Sequence, residues 1–516
     1  MNHLAITDYI VLICYMGLMI GIGFYFMKRQ KSTEDYFIAS KRIPGWAMGL
    51  ALIATLVSNI TFLAFPGSSF TSDWRQFTNH FMVLIIMFPV AFIMIPLYRN
   101  IIGMSLYEFF EKRFGYGIRA YGSFAFILYY VSRLGVIFFV LSLAVNTMTG
   151  WNIYFVIAAF GLITIIYTLS GGIEAVTWTD VIQGILFITG GLVLLIIALF
   201  GAKAGAGEIL GAAWQERKFS LGEPGFSLKR DTILVMLLYG FYQHSHNFGT
   251  DQTMVQRYLT ARSTSQAVRS AFVSGIVCIP VWGLFFFVGT ALWGYYTFSA
   301  QSLPSEVMDK PDRVIPYFIM QQLPAGIVGL ALAALLSSAM STLSSGLNSV
   351  ATVFTNDLFK KIAPKFSDKE LLNVGRISVL SVGTLSLLLA AWLVTRSGQV
   401  LEIYYSALSI FAGGLLGLVL LALTCKKANI TGATIGIIIT LTVVAWASLT
   451  KNDVVDLGPF NYTLHPYLIG LLGHVTMFVT GYAGSLFFPD KKSPEKYINP
   501  LRKMDGTRLL IYGRDK

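Results

Sequence analysis

Apolar runs long enough to cross a bilayer follow one another along nearly the whole chain, separated by short polar or charged segments. A hydrocarbon core about 30 Å thick needs roughly 20 apolar residues per spanning helix. The pattern predicts thirteen such spans, at residues 7–27, 45–70, 77–98, 118–149, 152–171, 174–201, 232–256, 266–297, 325–356, 371–395, 400–424, 428–449 and 465–488. The chain therefore reads as an all-α polytopic membrane protein. No short repeat of the solenoid kind is visible. A coarser repeat is: 45–70 and 232–256 are interrupted by polar residues, and each opens a group of five spans. An odd group enters the membrane the second time with opposite orientation. This predicts inverted repeats at residues 45–201 and 232–424, an extra N-terminal helix at 7–27, two extra C-terminal helices at 428–488 and a basic tail at 489–516. In carriers of that design the first helix of each repeat is broken and the site lies between the breaks.

Composition agrees: 55% of the 516 residues are hydrophobic and 12% charged, which excludes an ordinary soluble protein. The net charge of +12 does not point to nucleic acid, because the basic residues alternate between loops. Lys28, Arg29, Lys31, Lys41 and Arg42 share a side with Arg99, Lys112, Arg113, Arg257, Arg262, Lys360, Lys361, Lys365, Lys369, Lys426, Lys427 and the tail from Lys491. Segments 202–231, 298–324 and 450–464 are mixed or acidic. Basic loops stay inside, so the expectation is a multi-pass plasma (inner) membrane protein with its N-terminus outside and its C-terminus cytoplasmic. The first run has no basic region before it and no small-residue cleavage site after it, and is read as a retained helix. Cys14, Cys278 and Cys425 have neither CxxC nor metal-ligand spacing. Without a nucleophile–base spacing, metal set or phosphate loop, the chain is not expected to be an enzyme.

The polar residues inside the spans carry the chemistry. In "ALIATLVSNITFLAFPGSS", Thr55, Ser58, Asn59 and Thr61 lie mid-span, with Pro66 and Gly67 beyond them. Unwound backbone there would free carbonyls near Ala54 and Val57 to ligate a cation; the alternative is a hydroxyl-rich packing face. In "YGFYQHSHNFGTDQTMVQRY", Gln243, His244, His246, Asn247, Thr250, Asp251 and Gln252 cannot all face lipid. The two histidines, two residues apart, point to different sides of a helix and do not suggest a metal site. "SSAMSTLSSGLNS", residues 337–349, packs seven hydroxyls into thirteen residues. Ser338, Ser341, Thr342 and Ser345 form one helical stripe bordered by Ser344. Such hydroxyls either bond back to the preceding turn or serve as neutral hard ligands for sodium. Two intramembrane charges, Asp180 and Arg133, each cost at least about 2.5 kcal/mol on insertion scales and mark an ion or substrate pathway unless they pair with each other. Their different depths speak against that pairing.

"TLSGGIEAVTWTDVIQ", "TDQTMVQRYL" and "SSAMSTLSSGLNSVATVFTNDL" resemble the signature regions of the sodium:solute symporter family over roughly residues 5–425. That family includes sodium-glucose, sodium-proline and bacterial sialic acid symporters. The resemblance implies a five-plus-five inverted-repeat core of the leucine-transporter type, with the first helix of each repeat discontinuous. It also implies sodium-coupled import of a small polar organic solute by alternating access, with sodium, solute and bilayer as partners and no obligatory protein partner. Carried over, a first sodium site would use the carbonyls of Ala54, Val57 and Ser338 and the hydroxyls of Ser341 and Thr342. A second, known in some members, falls on Asp180, Ser341, Ser344 and Ser345, implying two sodium ions. Arg133 matches the arginine that holds the carboxylate in the sialic acid symporters, and its guanidinium fork suits such a group. Ser58 and Thr61 match hydroxyl ligands there, while Leu56 stands for a hydroxyl residue and His80 for an amide. By analogy with the sugar symporters, Gln76, Asn79, His80, Gln243 and Asp251 join the substrate set. The expected solute is a sialic acid or other sugar acid; the alternative is a neutral sugar or polyol, with Arg133 structural.

Overall fold

A computed structural model describes residues 4–299, 303–396 and 413–491. The chain begins with α1 (Ile6–Met27) and the short α2 (Thr33–Ile38), whose first turn is capped by Ser32 Oγ accepting from the Asp35 amide. There follow α3 (Gly45–Leu56), α4 (Asn59–Thr71), α5 (Arg75–Ile101), α6 (Tyr107–Phe114) and α7 (Tyr116–Thr149). Next, α8 (Ile153–Phe200) runs for 48 residues. At 1.5 Å per residue it is about 72 Å long, more than twice a hydrocarbon core. It divides at Gly172 (φ 57°, ψ −157°), where a Cβ would also lie 2.7 Å from the Tyr36 carbonyl oxygen, so two spans share this one run.

Beyond it come α9 (Ala206–Gln215), α10 (Ile233–Thr250), α11 (Gln252–Thr260), α12 (Thr264–Phe298), α13 (Val314–Gln322), α14 (Ile327–Ile362) and α15 (Asp368–Val394). The described chain ends with α16 (Leu415–Thr424), α17 (Ile430–Lys451) and α18 (Leu468–Phe487). Among the described residues nine helices are long and apolar enough to cross a membrane, α8 counted once, and α3 with α4, bent by 55°, makes one further broken span, against the thirteen expected over the whole chain. The expected span 400–424 is described only from residue 413, and the expected tail only to residue 491.

Helix α14 is the axis of the molecule. Every residue from Ala331 to Val353 is buried, with α8, α7, α1 and α15 packed around it. A span that never meets lipid is free to be polar, which answers how seven hydroxyls are tolerated in it. Its N-terminus is capped from another helix: Asp8 Oδ1, on α1, accepts from the amides of Gly326 and Gly329 at 2.7 Å each. Packing of α1 on α8 is so close that a Cβ at Gly23 would sit 2.6 Å from Tyr167 Cα. The extra N-terminal helix is thus docked tightly against the helices that carry Asp180 and the serine stripe.

Candidate functional site

The α3–α4 span breaks at Val57 and Ser58, both extended (φ −88°, ψ 131° and φ −134°, ψ −179°). Pro66, the expected weak point, lies inside α4 without ending it. At the break the Ser58 amide turns to Thr61 Oγ1 at 3.4 Å, which releases the Ala54 carbonyl from the helical ladder. Ser341 Oγ, from α14, donates to that carbonyl at 2.9 Å. The Ser338 carbonyl lies 3.4 Å from Ser341 Oγ and 3.5 Å from Thr342 Oγ1. Four of the five expected first-site atoms therefore meet across two helices, and Val57 is buried at the break beside them.

The remaining hydroxyls behave differently. Ser337, Ser338, Ser344 and Ser345 donate back along α14, to Ala334, Leu335, Ser341 and Ser341 carbonyls at 2.7, 2.6, 3.2 and 2.7 Å. The bland reading of the stripe holds for Ser337, Ser338 and Ser344; Ser341 reaches across to the break, and Ser345 also meets Thr55 Oγ1 at 3.4 Å and Asp180 Oδ2 at 3.3 Å. A donated proton still leaves the hydroxyl oxygen its lone pairs, so back-bonding does not disqualify a ligand.

Asp180 and Arg133 do not pair with each other. Asp180 Oδ2 is ion-paired to Arg257, and Ser345 Oγ lies 3.3 Å from the same oxygen. Sequence reasoning put Arg257 in a basic loop; it is in fact 1% exposed on α11. Its position in "TDQTMVQRYL", where no other basic residue stands, is the signal that could have shown it. Arg133 instead stands between Tyr129 and Tyr130 and 3.8 Å from Asp251 Oδ2. Tyr130, which sequence reasoning missed, donates to Asp251 Oδ2 at 2.6 Å, while Asp251 Oδ1 accepts from the amide and hydroxyl of Thr253 at 2.8 and 2.6 Å. With its carboxylate so occupied, Asp251 is the expected substrate residue that the fold keeps out of the main cavity.

That cavity is about 850 Å³ and gathers the other seven: Ser58, Thr61, Gln76, Asn79, His80, Arg133 and Gln243. It opens past Ser68 and Thr71 at the end of α4 and past Asp309–Arg313. His80 stacks on Trp282 with ring centroids 4.1 Å apart, and both of its buried ring nitrogens lack a hydrogen-bond partner among the described residues. A polar ligand in the cavity would relieve that cost. His244 faces Trp282 and His80, whereas His246 stacks on His474 with centroids 5.7 Å apart, so the pair does point two ways. A smaller cavity, lined by Thr55, Leu56, Arg133, Asn247, Asp251 and Thr342, lies between the arginine and the serine stripe.

The opposite side is sealed by α11. Gln256 Nε2 donates to the Phe37 carbonyl, Asn348 Oδ1 and Thr352 Oγ1 at 2.6–2.8 Å. Arg99 holds the Tyr258 and Ala261 carbonyls, and Gln252 accepts the Leu106 amide at 2.8 Å. A deep cavity with polar groups among apolar walls, open on one side, a sealed opposite side and carbonyls freed at a mid-membrane break together define a secondary carrier coupled to a small cation.

A family model described as the sodium:solute symporter family matches residues 36–440. The chain belongs to that family: it is a multi-pass, sodium-coupled symporter, not an enzyme, with the leucine-transporter type of five-plus-five core. The sodium/sialic acid symporter of Aliivibrio fischeri is 30% identical over 95% of each chain. That of Proteus mirabilis is 31% identical over 95% of this chain and 97% of its own. Among solved structures, the substrate-bound outward-open state of a Na+-coupled sialic acid symporter, with 30% identity, superposes with a TM-score of 0.86 over 94% of this chain and 99% of that one.

Proposed function

We propose that the protein imports a sialic acid or closely related sugar acid together with two sodium ions. The observation that carries this reading is Arg133. It lines the 850 Å³ cavity among polar, aromatic and aliphatic side chains, the other charged lining residues being those of the 309–313 segment, and part of its side chain is left uncovered. The similarity to two sodium/sialic acid symporters over nearly the whole length supports the same solute class. In this proposal Arg133 holds the carboxylate, and Ser58, Thr61, Gln76, Asn79, His80 and Gln243 take the hydroxyl-bearing remainder. Asp251 orients Arg133 rather than meeting the solute.

The first sodium ion is proposed at the Ala54, Val57 and Ser338 carbonyls with Ser341 and Thr342, the second beside Asp180 with Ser341, Ser344 and Ser345 as candidate partners. Residues 45–201 and 232–424 form the two inverted repeats. The N-terminus lies outside the plasma membrane and the C-terminus inside, so the large cavity faces outward and the α11 seal faces the cytoplasm. Sodium at the α3–α4 break would draw α14 and the broken span together and complete the pocket from outside. Release of the α11 contacts would then expose it to the cytoplasm. Two sodium ions with one carboxylate leave a net positive charge moving inward, which the membrane potential drives by about 2.3 kcal/mol per 100 mV.

Uptake into proteoliposomes under an imposed sodium gradient tests the reading. Sialic acid should accumulate and carry inward current, and its methyl ester should neither compete nor be taken up. Competition by the ester or by neutral hexoses and polyols equal to that of the free acid would establish the neutral-sugar alternative instead.

A further inference from the structure

Resting on the two-ion reading, we propose that Gln183 is a ligand of the second sodium ion, that Tyr15 of the N-terminal helix orients it, and that the ion lies on their side of Asp180. Both Asp180 oxygens are buried, yet they are used unequally. Oδ2 carries the Arg257 guanidinium and the Ser345 hydroxyl, whereas Oδ1 finds no hydrogen-bond partner among the described residues. A cation approaching from the Ser345 side would meet another cation already there. On the other side, one helical turn along α8, stands Gln183, 1% exposed, and residues three apart on a helix are neighbours.

The amide of Gln183 is held from one end. Its Nε2 donates to Tyr15 Oη at 3.2 Å and to Met19 Sδ at 3.4 Å, both on α1. Its Oε1 therefore points away from α1, and it too is buried with no partner among the described residues. Two buried oxygens that can only accept, one turn apart and both unsatisfied, cost several kcal/mol unless a donor or a cation serves them. Of the surrounding donors, Tyr167 Oη is spent on the Met340 carbonyl at 3.2 Å and Ser344 on the Ser341 carbonyl, while the unpartnered Nε and Nη1 of Arg257 belong to the guanidinium that pairs with Oδ2 through Nη2. A desolvated carboxylate oxygen beside a neutral carbonyl oxygen is a fitting donor set for sodium, and the Ser344 oxygen retains lone pairs toward it. On this account the tight docking of α1 has a purpose in ion binding, since it fixes the far end of the amide.

Sodium-induced thermal stabilisation of the purified full-length protein in detergent, without solute, reads binding apart from transport. Wild type should titrate with a Hill coefficient near two. Gln183→Leu should lower it toward one and raise the half-saturating sodium about tenfold, which corresponds to one lost ligand. Tyr15→Phe should raise it about threefold with the coefficient kept, and Gln183→Glu, which retains an oxygen, should stay near wild type. Ser345→Ala should change the curve less than Gln183→Leu does. Should Gln183→Leu fail to fold, Gln183→Ser, which shortens the side chain while keeping a small polar group, gives the same reading. A wild-type curve for Gln183→Leu alongside a lost component in Asp180→Asn overturns this proposal and leaves the second site standing. A wild-type curve for Asp180→Asn overturns both.

Discussion

At the α3–α4 break the Ala54 carbonyl accepts a serine hydroxyl from a different helix. At the α10–α11 break the carbonyls of Phe248 and Gly249 accept the phenols of Tyr258 and Tyr98 at 2.9 and 2.7 Å, and Asp251 caps the second half-helix. Both breaks face the same difficulty of unsatisfied backbone inside a membrane. The first is satisfied by small hydroxyls that rotate in place and have another acceptor at hand in the Ser338 carbonyl. The second is stitched by long tyrosine side chains and a carboxylate. On the proposed reading a break serves as an ion site where its temporary partners can turn aside, and as a hinge or seal where they are fixed by packing.

The comparison can be broken by four substitutions, taken in falling order of effect. Arg133→Ala, in the pocket between the breaks, should weaken equilibrium binding of the acid about a hundredfold, as expected for about 3 kcal/mol of charge-assisted hydrogen bonding. Unchanged affinity would make Arg133 structural. Asp251→Ala should lower unfolding stability by about 2 kcal/mol through the lost cap, seen as a fall in thermal midpoint, yet leave the sodium half-saturation within about twofold if the second break holds no ion. Ser341→Ala should do the converse, raising the sodium requirement about tenfold, roughly 1.4 kcal/mol, with little change in midpoint without sodium. Tyr258→Phe should cost about 1 kcal/mol of stability and leave the sodium titration alone; a shifted titration would erase the distinction between the breaks.

Much of the architecture is legible from periodicity because hydrocarbon imposes length and apolarity on each span. The predicted 118–149 is found as Tyr116–Thr149, and 371–395 as Asp368–Val394. The broken span at 45–70 was legible from its central polar residues, and so was the place of its break: freed carbonyls were expected near Ala54 and Val57, and the helix is interrupted at Val57–Ser58, where α14 offers a hydroxyl to the Ala54 carbonyl. Loop charge counting misassigned Arg257 because side-chain burial is decided by what packs around α11.

What the sequence by itself determined is the all-helical membrane-spanning architecture, the three polar segments within the helices and the residue types they carry, since these follow from local hydropathy and side-chain chemistry. Tertiary structure alone decided the partners. It joined Asp180 to Arg257 and Arg133 to Asp251, enclosed α14 so that its hydroxyls never meet lipid, and brought Tyr15 to Gln183 across 168 residues of chain. Those pairings are long-range, and only the packing of helices distant in sequence can select which oxygen keeps a partner and which is left without one.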